Sequence, residues 1–437
     1  MQLKHLIIAM TAAIACSAGT FTSCSRATAG SETTFVTVAN GKFYLGTEEY
    51  RFVGTNFWYG PILASEGRGG NRERLHAELN ELQRLGINNL RVLVGADGPE
   101  GRAAHIAPVL QTAPGHYNDT LLRGLDYLLV ELEKRDMKAV LYLNNAWEWS
   151  GGFSAYLEWA GCGKAPIPCI DGWPTYRDYV SRFASCDSAL AMYRNHITTI
   201  VGRVNSITGV PYSECPAIMS WQLANEPRAF SDEAKAPFAK WIREAARLIK
   251  SLDGNHLVST GSEGLFGCEV DIDLWNTIHS YPEVDYANIH IWPYNWRWVE
   301  RDSLNTGLKA ACDSTRAYIE KHSALMKKAG KPLVLEEFGY PRDGFLFAPG
   351  SPVAARDGYY RFVFDMVTDT DMVAGCNFWG WGGSVRPAHE VWQPGDDYTC
   401  DPAQEQQGLY SVFSADSSTV AVIAEATARI SGKKQPR

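Results

Sequence analysis

Apolar residues in this chain fall into short runs that alternate with longer segments in which apolar positions recur every three to four residues. The short runs predict buried strands, and the longer segments predict amphipathic helices. The predicted strands cover residues 52–56, 89–94, 139–144, 217–224, 257–261, 286–291, 333–338 and 373–379. The main predicted helices cover residues 72–85, 121–135, 176–205, 232–252, 308–328, 354–368 and 419–430.

Strands that alternate with helices in this way indicate a parallel sheet with right-handed crossovers. We therefore predict an α/β fold, a single-domain (β/α)8 TIM barrel over residues 35–437. The pair Asn40-Gly41 between two apolar runs predicts an N-terminal β-hairpin that covers the bottom of the barrel. Two long segments, 147–173 and 380–408, follow the third and eighth strands, where loops shape the catalytic face.

The start of the chain predicts export. Lys4 and His5 precede an apolar run that is too short to span a membrane, which is typical of a secretory signal over residues 1–24. The small residues before Cys24 resemble a bacterial lipobox, so we expect lipidation at Cys24, with an ordinary cleaved signal as the alternative. Residues 25–34 predict a flexible tether. The expected location is the bacterial outer membrane, periplasmic or at the cell surface, and otherwise the protein is secreted.

Charge and cysteine content narrow the function classes. A net charge of −8 with no basic block in the body of the chain argues against a nucleic-acid partner. Eight cysteines follow residue 160, and disulfides are plausible in an exported protein. Cys162 and Cys169 bracket a short loop and are the disulfide candidate. No Cys-x-x-Cys pair occurs, so we expect no metal site. Phosphate-loop, His-Glu-x-x-His and Gly-x-Ser-x-Gly motifs are also absent from the sequence.

Two predicted strands end in carboxylates. Glu226 follows the strand 217–224 directly before Pro227, and Glu336 and Glu337 close the strand 333–338. In a barrel the carboxyl ends of the strands form the catalytic face, so these groups are expected to meet there. Such a carboxyl pair performs glycoside cleavage when one group donates a proton and the other attacks the anomeric carbon. Strand alternation directs Glu336 and Glu337 to opposite sides but does not say which one faces Glu226. We assign the pair to Glu226 and Glu337, because Glu337 directly precedes Phe338-Gly339.

Polar and aromatic groups at the other strand ends suit a sugar. The chain contains 14 Trp and 20 Tyr, and several lie beside hydrogen-bonding residues at predicted strand ends. Aromatic faces next to polar groups bind ligands that are apolar on one face and hydroxylated at the edge. The candidate substrate-binding residues are Arg91, Asn225, His290, Trp292, Trp379, Trp58, Asn145 and Trp149.

Several motifs together resemble glycoside hydrolase family 5 and, within it, the mannanase subfamily. They are Asn225-Glu226-Pro227, Glu337-Phe338-Gly339, and the segments 144–152, 289–296, 375–383 and 407–413, in this order along the chain. The resemblance implies a retaining (β/α)8 hydrolase in which Glu226 is the general acid/base and Glu337 the nucleophile. It further implies that Asn225 holds the hydroxyl at carbon 2 and that Arg91 pairs with the nucleophile.

The resemblance also places His290 beside the carboxylates and Trp379 beneath the cleaved mannose. Many members have Tyr two residues after that His, whereas this chain has Trp292, which we expect to contact sugar instead. The implied activity is that of a mannan endo-1,4-β-mannosidase acting as a monomer, without cofactor, on mannan, glucomannan or galactomannan. The alternatives are an exo-acting or mannobiose-releasing β-mannosidase, a β-1,4-glucanase, and a non-catalytic glycan-binding lipoprotein.

Overall fold

Eight parallel strands form the central sheet of the computed structural model, which describes residues 34–432. The barrel strands are β1 (Phe52–Asn56), β2 (Asn89–Leu93), β3 (Lys138–Tyr142), β4 (Ile218–Gln222), β5 (Leu257–Ser259), β6 (Ala287–Ile291), β7 (Leu333–Phe338) and β8 (Gly375–Phe378). They pair in the order β5-β4-β3-β2-β1-β8-β7-β6, which follows the chain around a ring. The predicted (β/α)8 architecture is confirmed.

Hydrogen bonds from both side-chain and backbone atoms connect β5 to β6, the two strands at the ends of the sheet order. The side-chain oxygen of Asn288 in β6 accepts hydrogen bonds from the backbone N–H groups of Thr260 at 3.1 Å and Gly261 at 2.8 Å. Lower in the barrel, the backbone N–H of Asp285 donates to the carbonyl of Val258 at 2.8 Å. These contacts satisfy backbone groups that a buried strand cannot leave unpaired.

Helices surround the sheet. They are α1 (Gly60–Ala64), α2 (Arg72–Arg84), α3 (Asp119–Glu133), α4 (Gly152–Trp159), α5 (Pro168–Asp171), α6 (Trp173–Ser181), α7 (Asp187–Val201), α8 (Lys235–Leu252), α9 (Ile272–Ser280), α10 (Leu308–Ala329), α11 (Ala354–Thr368) and α12 (Ser417–Ile430). Among the helices within residues 34–432, none is both long and apolar enough to cross a bilayer.

The predicted single helix over residues 176–205 is wrong. The chain leaves α6 at Ser181, makes a short 3-10 turn over Phe183–Ser185, and enters α7 through the extended residue Cys186. Phe183 stacks on Phe153 of α4, with ring centroids 4.0 Å apart and an angle of 8° between the ring planes. Burial of this ring against α4 outweighs the local preference for a continuous helix.

The N-terminal hairpin closes the bottom of the barrel, as predicted. Its strands, Val36–Ala39 and Lys42–Leu45, flank Asn40 and Gly41, which have φ values of 51° and 73°. Positive φ at both turn residues is what a two-residue hairpin requires. Phe43 is fully buried and packs among apolar residues at the starts of the barrel strands, including an edge contact with Tyr286 at 5.2 Å.

The structure contradicts the predicted Cys162–Cys169 disulfide. Cys169 lies in α5, which begins at Pro168, and its side chain is exposed. Cys162 instead lies with its sulfur 3.8 Å from the sulfur of Cys186, and both residues are half-buried thiols. The nearest thiol partner that the structure gives to Cys162 is therefore Cys186 and not Cys169. The lipidation candidate Cys24 falls outside the described residues.

Candidate active site

Glu226 stands at the end of β4 in an unusual backbone conformation. Its φ is 47°, a left-handed value that is unfavourable for a residue with a Cβ. The conformation is held by a hydrogen bond from its backbone N–H to the carbonyl of Gly261 at 3.0 Å, and the preceding Asn225 N–H donates to the carbonyl of Asn144 at 2.8 Å. Neighbouring strand ends thus fix the point where β4 stops and the carboxyl turns inward.

Glu337 reaches the same site because of a bulge between β6 and β7. The register pairs Ile289 with Leu335 and then His290 with Glu337, so Glu336 has no direct partner in β6. The expectation that Glu336 and Glu337 point opposite ways is therefore wrong: both carboxyls reach Arg91, as an ion pair at 3.7 Å for Glu336 and in direct contact for Glu337. A bulge redirects side chains in this way.

Arg91 of β2 is the centre of the polar network. Its guanidinium, fully buried, contacts Glu337 with Nη1 and donates from Nη2 to Asn225 Oδ1 at 2.8 Å. Its Nε donates to Gln222 Oε1 at 2.8 Å, and Gln222 in turn donates to Glu336 Oε2 at 2.6 Å. One rigid fork therefore ties together three barrel strands at the catalytic face.

His290 lies between the two candidate carboxyls. Its Nδ1 is 2.7 Å from Glu226 Oε1 and 3.4 Å from Glu337 Oε2. One oxygen of Glu226, one oxygen of Glu337 and a ring nitrogen of His290 all lie within 4.8 Å of one another. This separation fits a retaining carboxyl pair, spaced by about 5–5.5 Å, and is too short for an inverting pair at about 6.5–9.5 Å. The adjacent Arg91 guanidinium disfavours a cation among these three groups.

Burial dominates the electrostatics of the pair. It raises the pKa of Glu226, against the lowering effects of the Arg228 charge and of a hydrogen bond from Trp147. Burial also raises the pKa of Glu337 well above its ordinary value, opposed by Arg91 and reinforced by the nearby Glu226. Burial and the Arg91 charge hold the pKa of His290 well below its usual range, so this imidazole is neutral. The two carboxyls consequently share one proton more readily than they lose both.

The carboxyl pair opens into a cleft of about 830 Å³. Trp379, after β8, and Trp292, after β6, both line it, and their rings meet edge to face at 5.9 Å. Tyr410, which also lines the cleft, contacts the Trp292 ring at a centroid distance of 5.1 Å and donates its hydroxyl hydrogen to Asn295 Oδ1 at 2.7 Å. The aromatic lining beside paired carboxyls matches what a hydroxylated, partly apolar ligand needs.

Three other residues that the sequence predicts to bind substrate, Trp58, Asn145 and Trp149, are buried. Trp149 lines the cleft but is only 3% exposed. Trp58 is 1% exposed, donates its indole N–H to the carbonyl of Cys400 at 2.7 Å, and does not line the cleft. Asn145 is fully buried behind Asn225, whose amide donates to it at 3.2 Å. Trp58 and Asn145 are therefore corrected from sugar contacts to supports, since loops cover both side chains.

Sequence reasoning missed three side chains that the structure brings to Glu226. Trp147 donates its indole N–H to Glu226 Oε2 at 2.5 Å. Arg228 lies with its guanidinium 5.2 Å above the Trp147 ring and pairs with Glu263 at 2.5 Å. Arg228 stands two residues after Glu226, and Trp147 stands two residues after Asn145. Their positions just past the ends of β4 and β3 are the sequence feature that could have indicated a place in the site.

Comparisons with known proteins agree with this geometry. The sequence model described as "GH family 5 beta-mannosidase-like" matches residues 33–435. A putative mannan endo-1,4-beta-mannosidase 4 of Arabidopsis thaliana is 32% identical over 313 residues, covering 68% of this chain and 71% of that protein. A putative mannan endo-1,4-beta-mannosidase 9 of Oryza sativa is 29% identical and covers 91% of this chain and 90% of that protein.

Solved structures show the same relationship. A glycoside hydrolase family 5 mannosidase from Rhizomucor miehei, a variant in complex with mannosyl-fructose, is 32% identical and superposes with a TM-score of 0.84, covering 91% of this chain and 97% of that chain. An endo-1,4-β-mannanase from the same organism, 23% identical, shares the fold with a TM-score of 0.64, covering 90% and 99% of the two chains. The family match over nearly the whole described chain shows that this protein belongs to the β-mannosidase-like group of glycoside hydrolase family 5.

Proposed function

We propose that this protein is a retaining glycoside hydrolase that cleaves β-1,4-mannosidic bonds in mannan, glucomannan or galactomannan, as a mannan endo-1,4-β-mannosidase does. The observation that carries the proposal is the pair of buried carboxyls, Glu226 and Glu337, with oxygens within 4.8 Å at the ends of β4 and β7. Names of the curated relatives support the choice of mannan as the substrate class.

The proposed reaction has two steps. Glu337 Oε attacks the anomeric carbon while Glu226 gives a proton to the departing oxygen, which leaves a glycosyl ester on Glu337. Glu226, now ionised, takes a proton from water as that water displaces the ester. Arg91 favours the ionised form of Glu337 against the effect of burial, and it holds Asn225, whose amide binds the 2-hydroxyl of the reacting sugar more strongly in the transition state. Trp379 stacks beneath that sugar.

An exo-acting or mannobiose-releasing enzyme is the second candidate. The likeness to a family 5 mannosidase, at 32% identity and a TM-score of 0.84, favours it. The cleft is lined by residues after β3 to β8, whereas Trp58, which follows β1, is buried against Trp149 and Tyr398, with ring centroids 5.4 Å and 4.9 Å away. Side chains that close the cleft on one side of the carboxyls would let the enzyme bind only the ends of a polysaccharide chain.

Product analysis on mannan, galactomannan, cellulose and xylan tests the proposal. Endo action on mannan gives a rapid fall in viscosity with mixed oligosaccharides, and exo action gives mannose or mannobiose alone. Hydrolysis of cellulose in place of mannan would make the enzyme a glucanase, and absence of hydrolysis would leave a glycan-binding protein. Glu337→Ala is expected to abolish turnover while leaving the fold intact, and retained turnover would refute the assignment.

Export, lipidation at Cys24 and a monomeric state complete the proposal. All three rest on the sequence. The segment that predicts export and lipidation, residues 1–33, lies outside the described part of the chain. Labelling with a radioactive fatty acid in a bacterial host tests the anchor, with Cys24→Ser as the control. Size-exclusion chromatography of the soluble form tests the monomer.

A further inference from the structure

Trp147 is held beside the site by the same residue that supports Asn225. Its backbone N–H donates to Asn145 Oδ1 at 3.1 Å, and that same oxygen accepts from the Asn225 amide at 3.2 Å. The next link is through Ala146, whose N–H donates to the Asn225 carbonyl at 2.9 Å and whose carbonyl accepts from the Tyr176 hydroxyl at 2.7 Å. The start of the loop after β3 is therefore locked to the residue that precedes Glu226.

The half-buried Trp147 ring contacts three side chains. It meets Trp173 and Phe230 edge to face, each at a centroid distance of 5.7 Å, and Arg228 lies over its face at 5.2 Å. The ring cannot turn without breaking these contacts, so the indole N–H stays directed at Glu226 Oε2, 2.5 Å away. The other oxygen of Glu226 lies 2.7 Å from His290 Nδ1.

We propose that Trp147 is a positioning residue for the acid/base carboxyl: its indole N–H fixes the orientation of Glu226 and stabilises its ionised form during the second step of the reaction. This inference rests on the proposed function of Glu226. A carboxylate oxygen accepts two hydrogen bonds, so the bond from Trp147 leaves a lone pair of Oε2 free to carry the proton that the leaving group receives.

Two demands on one carboxyl explain the need for such a donor. Glu226 must be protonated when the glycosidic bond breaks and ionised when water attacks. Burial alone favours the protonated form, and a donor to the carboxylate restores the balance. The charges of Arg228 and Arg91 act in the same direction, and the Trp147 N–H adds a hydrogen bond that is directed at one oxygen of Glu226. The charged or titratable groups that also act on Glu226 are Arg91, Tyr142, Arg228, Glu263, His290, Glu337 and Glu405.

An NMR experiment tests the contact independently of activity. With 15N-labelled tryptophan, the 14 indole signals of the chain are counted, and the Trp147 signal is assigned by its loss in Trp147→Phe. We expect this signal to move with pH and the movement to vanish in Glu226→Gln. A Trp147 signal that does not move with pH, or one that moves equally in Glu226→Gln, overturns the inference and leaves the proposed function untouched.

Kinetics test the consequence. Trp147→Phe keeps an aromatic ring and removes the donor, so the basic limb of the kcat/KM profile on mannotetraose should move up by about one pH unit. On a dinitrophenyl β-mannoside, whose leaving group needs no proton, kcat/KM should change less than about twofold. Trp147→Gln restores a neutral donor without the ring and should return the basic limb toward its wild-type position.

Trp159→Phe is the matched control, since Trp159 ends α4 and does not line the cleft. Its profile should equal that of the wild type. An unshifted basic limb in Trp147→Phe, or equal losses on both substrates, overturns the inference by reducing Trp147 to a packing residue. A wild-type enzyme that cleaves neither substrate contradicts the proposed function instead, while the NMR titration still decides the contact.

Discussion

Arg91 donates a hydrogen bond from Nη2 to Asn225 Oδ1 at 2.8 Å while its Nη1 contacts Glu337. A single guanidinium therefore sets the distance between Glu337, the proposed nucleophile, and Asn225, the residue proposed to bind the 2-hydroxyl of the sugar. The geometry needs a planar fork with several donors. A lysine carries the same charge but offers one compact ammonium, which cannot bridge both partners.

Arg91→Lys should therefore lower kcat/KM on mannan oligosaccharides by about 10²–10³-fold, because the transition state loses aligned donors. The measurement is steady-state kinetics on purified protein. Arg228→Lys provides a contrast, since Arg228 pairs with Glu263 and does not touch Glu337. Wild-type kinetics in Arg91→Lys would mean that charge alone is sufficient and that the fork has no role in alignment.

Much of this site follows from the sequence for one physical reason. A buried parallel strand is a short apolar run, so its carboxyl end can be located, and barrel topology brings all such ends together. Glu226, Glu337, Arg91, Asn225 and His290 are all found together on that basis.

Other features depend on contacts that no local pattern encodes. The bulge beside Glu336 turns two neighbouring carboxyls to one arginine, although strand alternation predicts opposite faces. Trp58 and Trp149 have similar sequence surroundings, yet only Trp149 lines the cleft, because the loop after β8 covers Trp58. The loop after β3 places Trp147 beside Glu226, and the predicted bond between Cys162 and Cys169 is not formed. Tertiary packing decides which way each of these residues faces.

The pH profile of kcat/KM should be bell-shaped, with both limbs belonging to the coupled pair of Glu226 and Glu337. The acid limb reflects the loss of the first proton from the pair, and the basic limb reflects the loss of the second. Burial raises the pKa of both groups, so the basic limb should lie well above the ordinary range of a carboxyl. Glu226→Gln, assayed with a dinitrophenyl β-mannoside, should keep the acid limb and lose the basic limb.

The corresponding change at the other carboxyl is the control. Glu337→Gln removes the nucleophile and should give no turnover on either natural or activated substrates. A basic limb that persists in Glu226→Gln would assign the second proton to another group and contradict the proposed acid/base.

Asp97 is expected to make stability fall with pH. It lies buried after β2 and accepts a hydrogen bond from Gln111 at 2.8 Å through one oxygen, while the other oxygen has no hydrogen-bond partner within residues 34–432. Burial raises its pKa to about 8. Because the unfolded value is about 3.9, the folded state binds the extra proton between these two values, and stability is lost as pH rises through this window.

Asp97→Asn should remove that loss, which amounts to about 1.4 kcal/mol per pH unit inside the window. Urea unfolding at pH 5, 6 and 7 measures the difference between variant and wild type, and other titrating groups cancel in the comparison. Asp178→Asn, at an exposed position of α6, should give a curve parallel to the wild type. A parallel curve for Asp97→Asn would show that Asp97 is ionised in the folded protein.

Cys162 and Cys186 should form a disulfide with each other under oxidising conditions, in preference to any bond with Cys169. Their sulfurs are 3.8 Å apart, whereas Cys169 faces solvent on α5. Rotation of the side chains closes such a gap to bonding distance without large movement of the backbone. Oxidised glutathione supplies the oxidant: the two thiols lose two electrons and two protons, and one glutathione disulfide becomes two thiols.

Trypsin separates the three cysteines, which lie in fragments 139–164, 165–177 and 183–194. Mass spectrometry without reduction should therefore find the first fragment joined to the third. Cys169→Ser should leave this product unchanged, and Cys186→Ser should abolish it. If the first and second fragments are joined instead, the loop of residues 162–169 closes on itself in solution, and α5 does not hold Cys169 toward solvent. Because the bond ties the loop that carries Trp147 to the turn before α7, its formation should also raise the thermal midpoint.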